Sequence, residues 1–181
     1  MEALTKAVYQ QQPISFRFAN YVVRTWMLLF SNSVFAPSVS QRTLQLVVRR
    51  VLSELQNPNV ISMPDKNHSQ YLLSVLNRLV ISILDNSDRT QAFLVLFRLL
   101  HEAVAAADPA KDKFIEYTCK CLLKLAKTLR ATIESIDLVE MLRGINTYFT
   151  TTPKNVEHPM NPHATVKTIL NELVRLEGAN I

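Results

Sequence analysis

Lys113, Lys120, Lys124 and Lys127 recur at intervals of seven, four and three residues, with Lys111 before them and Arg130 after them. On a helix of 3.6 residues per turn these intervals set the ammonium groups along one stripe. The opposite stripe, Phe114, Cys121, Leu122, Leu125 and Leu129, is apolar and is expected to face a core. A row of one sign raises the local positive potential and steers acidic partners towards it. Lys113, Lys120, Lys124, Lys127 and Arg130 are therefore the candidate partner-binding residues. A solvated helix face with no partner explains the same spacing and is the default. Arg42, Arg49 and Arg50 form a thinner basic cluster on the second predicted helix.

The other reactive side chains do not assemble into a catalytic set. His68, His101, His158 and His163 are scattered, and none forms H-E-x-x-H or a similar ligand pair. His158 and His163 flank prolines, where a solvated loop residue is expected. Cys119 and Cys121 lie two apart in a predicted helix, so their side chains diverge by about 200° and can neither pair nor share one metal. Asp85 and Asp88 resemble a carboxylate pair, but they sit at a helix break, where capping is the simpler role. Glycine-rich phosphate loops, G-x-S-x-G elbows and kinase signatures are absent from the sequence. Phe16, Phe18, Tyr21, Trp26, Phe93 and Phe97 could stack on single-stranded nucleic acid, yet they interleave with leucines at core spacing, which favours packing. The expectation is a chain that is not an enzyme, with no catalytic residues, no metal and no cofactor.

Composition indicates what positions the lysine row. The chain has 181 residues, 48% of them apolar and 19% charged, enough for one domain with a substantial core. Its two glycines, Gly144 and Gly178, stand where an average chain would carry about a dozen, which argues against hairpin-rich sheets and phosphate-cradling turns. Leucine occurs 25 times. The fold class is all-α. A net charge of +5 admits an acidic partner without naming one. No run of about 18 apolar residues occurs, and no signal peptide opens the chain, so a soluble intracellular protein without a membrane partner is expected.

The helix boundaries are marked by prolines and caps. Pro13 opens a first helix to Phe30, with Phe18, Val22, Trp26 and Leu29 on its inner face, and the preceding dozen residues form one more short helix. Ser38 and Gln41 are a capping pair for the second, whose face is Leu44, Val47, Val48, Val51 and Leu55. Asn67 with Gln70 opens a third through Leu84. Arg89–Ala107 is a fourth, Asp108-Pro109 starts a fifth to about Arg130, and Asp137 starts a sixth. Asn161-Pro162 begins a seventh that stops at Gly178 as a left-handed C-cap. Seven helices thus begin near residues 13, 38, 67, 87, 109, 137 and 162, and pairs of them make units of roughly 45 residues, the size of HEAT and armadillo hairpins. The alternative is a closed bundle.

Several collinear segments resemble the C-terminal domain of the Mini spindles/ch-TOG microtubule polymerases. They are Leu76-Asn77-Arg78-Leu79, Leu84 to Thr90 (LDNSDRT), Lys120 to Leu125 (KCLLKL), Thr132 to Leu138 (TIESIDL) and Val166 to Leu173 (VKTILNEL). They run in the family's order from about residue 70 to 178, whereas residues 1–66 correspond only as two or three helices in the right place. The resemblance implies a single TOG-like domain over 1–181, a paddle of HEAT-like hairpins cut from a longer protein. It implies a monomeric, non-catalytic docking domain in the cytoplasm and cytoskeleton, at centrosomes and spindle poles, contributing to microtubule dynamics and spindle organisation. Its implied partners are TACC-type coiled coils and, more weakly, tubulin. The helices that the family implicates in TACC docking follow the position matching Gly178 and are expected to lie beyond Ile181. Tubulin-binding TOG domains expose a Trp in the first intra-repeat loop, whereas Trp26 lies within a helix and the loop Asn32–Pro37 has no basic residue, so no tubulin-contacting residue carries over. From a different class, the positive charge alone would suit a nucleic-acid-binding helical domain.

Overall fold

In the computed structural model residues 16–154 and 157–178 are described, and every regular element among them is helical. Seven helices span 14 residues or more: α1 Phe16–Phe30, α3 Gln41–Glu54, α5 Lys66–Asn86, α6 Arg89–Ala105, α7 Asp112–Lys127, α9 Leu138–Thr151 and α10 Pro162–Glu177. Single-turn helices α2 Phe35–Ser38, α4 Pro58–Ile61 and α8 Leu129–Thr132 punctuate them. Pro13 and the helix expected before it lie outside the described residues.

The long helices form two rows. Helices α3, α6 and α9 pack side by side in one, and α1, α5, α7 and α10 make up the other. Across the rows α3 pairs with α5, α6 with α7 and α9 with α10, giving HEAT-like hairpins. Polar contacts fix the register. The Thr90 hydroxyl accepts the Asp137 N–H at 2.9 Å at the starts of α6 and α9, and His101 meets Thr152 at 3.0 Å at their ends. Helices of one row therefore run parallel, and the hairpin loops 55–65 and 106–111 share one edge with the described parts, 152–154 and 157–161, of the connection before α10. Asn32–Pro37 joins α1 of one row to α3 of the other.

Local chemistry explains most boundaries and corrects several. Asp108, Asp137 and Asn161 accept N–H bonds of the following turn at 2.9–3.0 Å, as expected of caps. The cap of α3 is Ser40, not Ser38. Asn32 binds the N–H groups of Val34 and Phe35, so Phe35–Ser38 closes as its own turn and the chain extends before Ser40 accepts from Thr43 at 3.3 Å. Asp65, not Asn67, caps α5, accepting from Asn67 at 2.8 Å and His68 at 3.4 Å, and its negative charge suits a helix N-terminus. Helix α7 ends at Lys127 rather than Arg130, because the Thr128 hydroxyl donates to the Leu125 carbonyl and competes with the backbone ladder. Gly178 is right-handed, at φ −64°, so it is no left-handed cap.

The core runs between the rows. Helix α6 buries Ala92, Phe93, Val95, Leu96, Phe97, Leu99 and Leu100 over a broad face, leaving a strip at Gln91, Leu94 and the exposed Arg98, and packs against α3, α5, α7 and α9. Phe93 and Phe97 are core residues, as their spacing indicates. Gly144 on α9 lies against α6, where an added Cβ would come within 2.3 Å of Leu94 Cδ2. The face of α1 differs from the expected one. Val23 and Phe30 are its buried residues, while Phe18 and Leu29 are exposed. Cys119 is fully buried and burial pushes its thiol up to about 11, a hydrogen bond to Thr165 offsetting part of the rise. The Tyr148 hydroxyl, buried and without a hydrogen-bond partner among the described residues, is raised for the same reason.

Two outcomes follow. Leu100→Ala removes a fully buried side chain of α6 and should cost about 3 kcal/mol in a denaturant titration, whereas Leu46→Ala, half-exposed, should change little. Because the folded state holds the Cys119 proton above its ordinary value of 9.0, the unfolded chain releases it first as pH rises. Stability is therefore complete below pH 9 and should fall by about 1 kcal/mol by pH 10 from this thiol. Cys119→Ala should remove that part of the slope.

Candidate partner-binding surface

Lys113, Lys120, Lys124 and Lys127 share one stripe of α7, and the structure divides their roles. Lys113 and Lys127 are exposed near its two ends. Lys120 donates to Glu116 at 2.5 Å, one helical turn earlier, and the ammonium holds the Glu116 carboxyl below its ordinary value while being raised itself. Lys124 crosses to α5 and meets Asp85 at 3.3 Å. Arg130 lies beyond the break at Thr128, on α8, and so leaves the stripe. The ion pairs are solvent-exposed and individually weak.

Beside this stripe α5 and α7 splay, leaving a groove of about 590 Å³. Leu73, Ser74, Asn77 and Ile81 face it from α5, and Tyr117, Lys120, Cys121 and Lys124 from α7. The second set falls at i, i+3, i+4 and i+7, one face of a helix. Buried Leu52, Leu55, Val80 and Leu84 underlie it. Cys121 is half-buried in the wall, and burial raises its thiol to about 12 despite the ammonium of Lys124, so it stays protonated and unreactive near neutral pH. The surface is an apolar trough with two lysines in one wall.

Other candidate residues serve the scaffold. Arg49 pairs with Glu102 of α6, Gln45 donates to the same carboxylate at 3.1 Å, and Arg50 pairs with Glu54 at 2.6 Å; Arg42 and Arg50 are the exposed members of that cluster. Asp88 caps α6 at 2.8 Å, but Asp85 does not cap. It lies within 4.0 Å of Arg89 and meets Lys124, tying the end of α5 to α6 and α7. His158 and His163 are half-buried rather than freely solvated. His158 accepts the Met160 N–H on Nδ1, so its Nε2–H donates to the Asp112 carbonyl at 3.0 Å, and His163 Nε2 reaches the Pro153 carbonyl at 2.7 Å. His68 stacks on Phe16 with centroids 3.9 Å apart. Among the described residues no three His, Cys, Asp or Glu side chains gather as a metal site, and no helix is long and apolar enough to cross a membrane.

No family model matches the chain, and no solved structure matches it significantly. Among curated proteins it is 35% identical over 182 aligned residues to Protein MOR1 of Arabidopsis thaliana. It is 33% identical over 182 to Protein MOR1 of Oryza sativa subsp. japonica. Each alignment covers 92% of this chain and 9% of the relative. Centrosomal protein 224 of Dictyostelium discoideum is 24% identical over 169 residues, covering 87% of this chain and 8% of that protein. The chain spans about a tenth of the length of these relatives. The likeness also takes in most of the N-terminal third, where the sequence segments alone offered only helix placement. The chain is MOR1-like across nearly all of its length.

Proposed function

We propose that this chain is a non-catalytic interaction domain of a microtubule polymerase, one that contributes to microtubule dynamics and spindle organisation by docking protein partners. The alignment with the two MOR1 proteins over 92% of the chain carries the proposal. The segments that resemble the Mini spindles/ch-TOG domain support the microtubule assignment. The name of Centrosomal protein 224 agrees with a place at centrosomes in the cytoskeleton, and the family resemblance extends the proposal to spindle poles. TACC-type coiled coils are the first partner and tubulin the second. Rigid hairpins supply the mechanism: they hold an apolar trough and a lysine stripe in fixed register, so a partner pays little to order them. The domain acts as a monomer spanning 1–181.

The test is capture of TACC protein and of tubulin, assayed separately, by this chain and by a longer segment of the same protein continuing past Ile181. Capture of TACC protein by the longer segment is expected. Retention of neither protein by either segment would overturn the proposal, and a steeply salt-dependent affinity for RNA or DNA would establish the nucleic-acid reading in its place. Replacing Lys120, Lys124 and Lys127 together by Glu should weaken capture at low salt with helicity unchanged by circular dichroism. Unaltered capture would remove the stripe from the contact.

A further inference from the structure

The trough between α5 and α7 is a docking site in its own right, and we infer that its occupant is a short acidic amphipathic helix of a protein partner. This deepens the docking proposal above and rests on it. Three observations select that occupant. The α5 wall from Leu73 to Leu84 is about 16 Å long, the length of roughly three helical turns. The walls are two helix faces, and a third helix laid along them would fill the groove by ridge-and-groove packing, its apolar side on Leu73, Ile81 and Tyr117. Ile61, at the mouth of the trough by the hairpin-loop edge, is 45% exposed, so apolar area is left for a guest to cover.

Charge fixes the sign of the guest. Lys120 and Lys124 stand in the α7 wall, and Lys113 and Lys127 continue the same stripe at either end. The carboxylates facing them are Glu116, from α7 itself, and Asp85, from α5, both held in exposed pairs that an incoming acid can replace. A guest carrying Lys or Arg along that side would meet four ammonium groups against two carboxylates. A guest carrying Glu or Asp there would be matched, and the α5 rim, Ser74 and Asn77, is uncharged and leaves the other side undetermined.

Two fluorescein-labelled helical peptides of three turns test the assignment. Both carry leucines at i, i+3, i+4 and i+7, one with glutamates at the remaining positions and one with lysines. Fluorescence anisotropy with the intact chain should show saturable binding of the glutamate peptide and none of the lysine peptide. Ile81→Glu, in the wall, should weaken it by about tenfold. Asn77→Glu, at an exposed rim position that the fold does not depend on, should do the same without a change in melting temperature. Lys154→Glu, away from the trough, should have no effect. Absence of glutamate-peptide binding, or binding indifferent to Asn77→Glu, overturns the assignment. Ile81→Glu, which puts a charge in the apolar wall, separates the two proposals: TACC or tubulin capture that survives it leaves the docking function standing and removes the trough from it.

Discussion

Helix α6 must be covered over most of its circumference, with only a narrow strip around Arg98 left to solvent, and the arrangement of the other helices follows from that. Its buried residues include Phe93, Phe97, Leu96 and Leu100, and they take up a much wider arc than the single stripe of an amphipathic surface helix. Such a helix needs cover from several directions at once. Helices α3 and α9 supply it within the row, and α5 and α7 supply it across the row. Each of those helices is amphipathic and has only its inner face satisfied by α6. Stacked hairpins are the outcome, and outward faces are what remains for recognition.

The second row is less uniformly packed than the first. Helix α1 lies closely on α5, and α7 on α10, but α5 and α7 diverge enough to leave the trough. Their outer parts are joined through a salt bridge between Asp85 and Lys124 and not by interdigitated leucines. A spacing of this kind is compatible with a rigid framework because α6 and the end of α3 fill the space beneath. The hairpin-loop edge is held too. His158, with both ring nitrogens engaged, connects the loop before α10 to the first turn of α7.

Helix count, order and starting points were legible because prolines and caps are local signals. Asp108-Pro109, Asp137 and Asn161-Pro162 each act within one turn of themselves. Where two polar residues compete for one helix start, local reasoning chose the wrong member. Ser38 was two positions too early because Asn32 organises the preceding turn, and Asn67 two too late because the charged Asp65 is the stronger acceptor. The lysine stripe was legible as a periodicity, but the trough was not. It depends on the distance between α5 and α7, and the residues that meet there, Asp85 and Lys124, lie 39 positions apart. The inner face of α1 was misread because four apolar positions satisfy a helical period in more than one phase, and only the packing against α5 selects Val23 and Phe30.

Asp85 gives the trough an occupant of its own even when no guest is present. Its carboxylate already sits on Lys124, so an arriving acid exchanges one partner for another and the tally of ionic contacts hardly moves. Strength of association must then come from water released off the leucines and isoleucines, whereas the ammonium groups act as a gatekeeper that rejects wrongly signed visitors. Added salt should loosen such a complex far less than the count of lysines suggests.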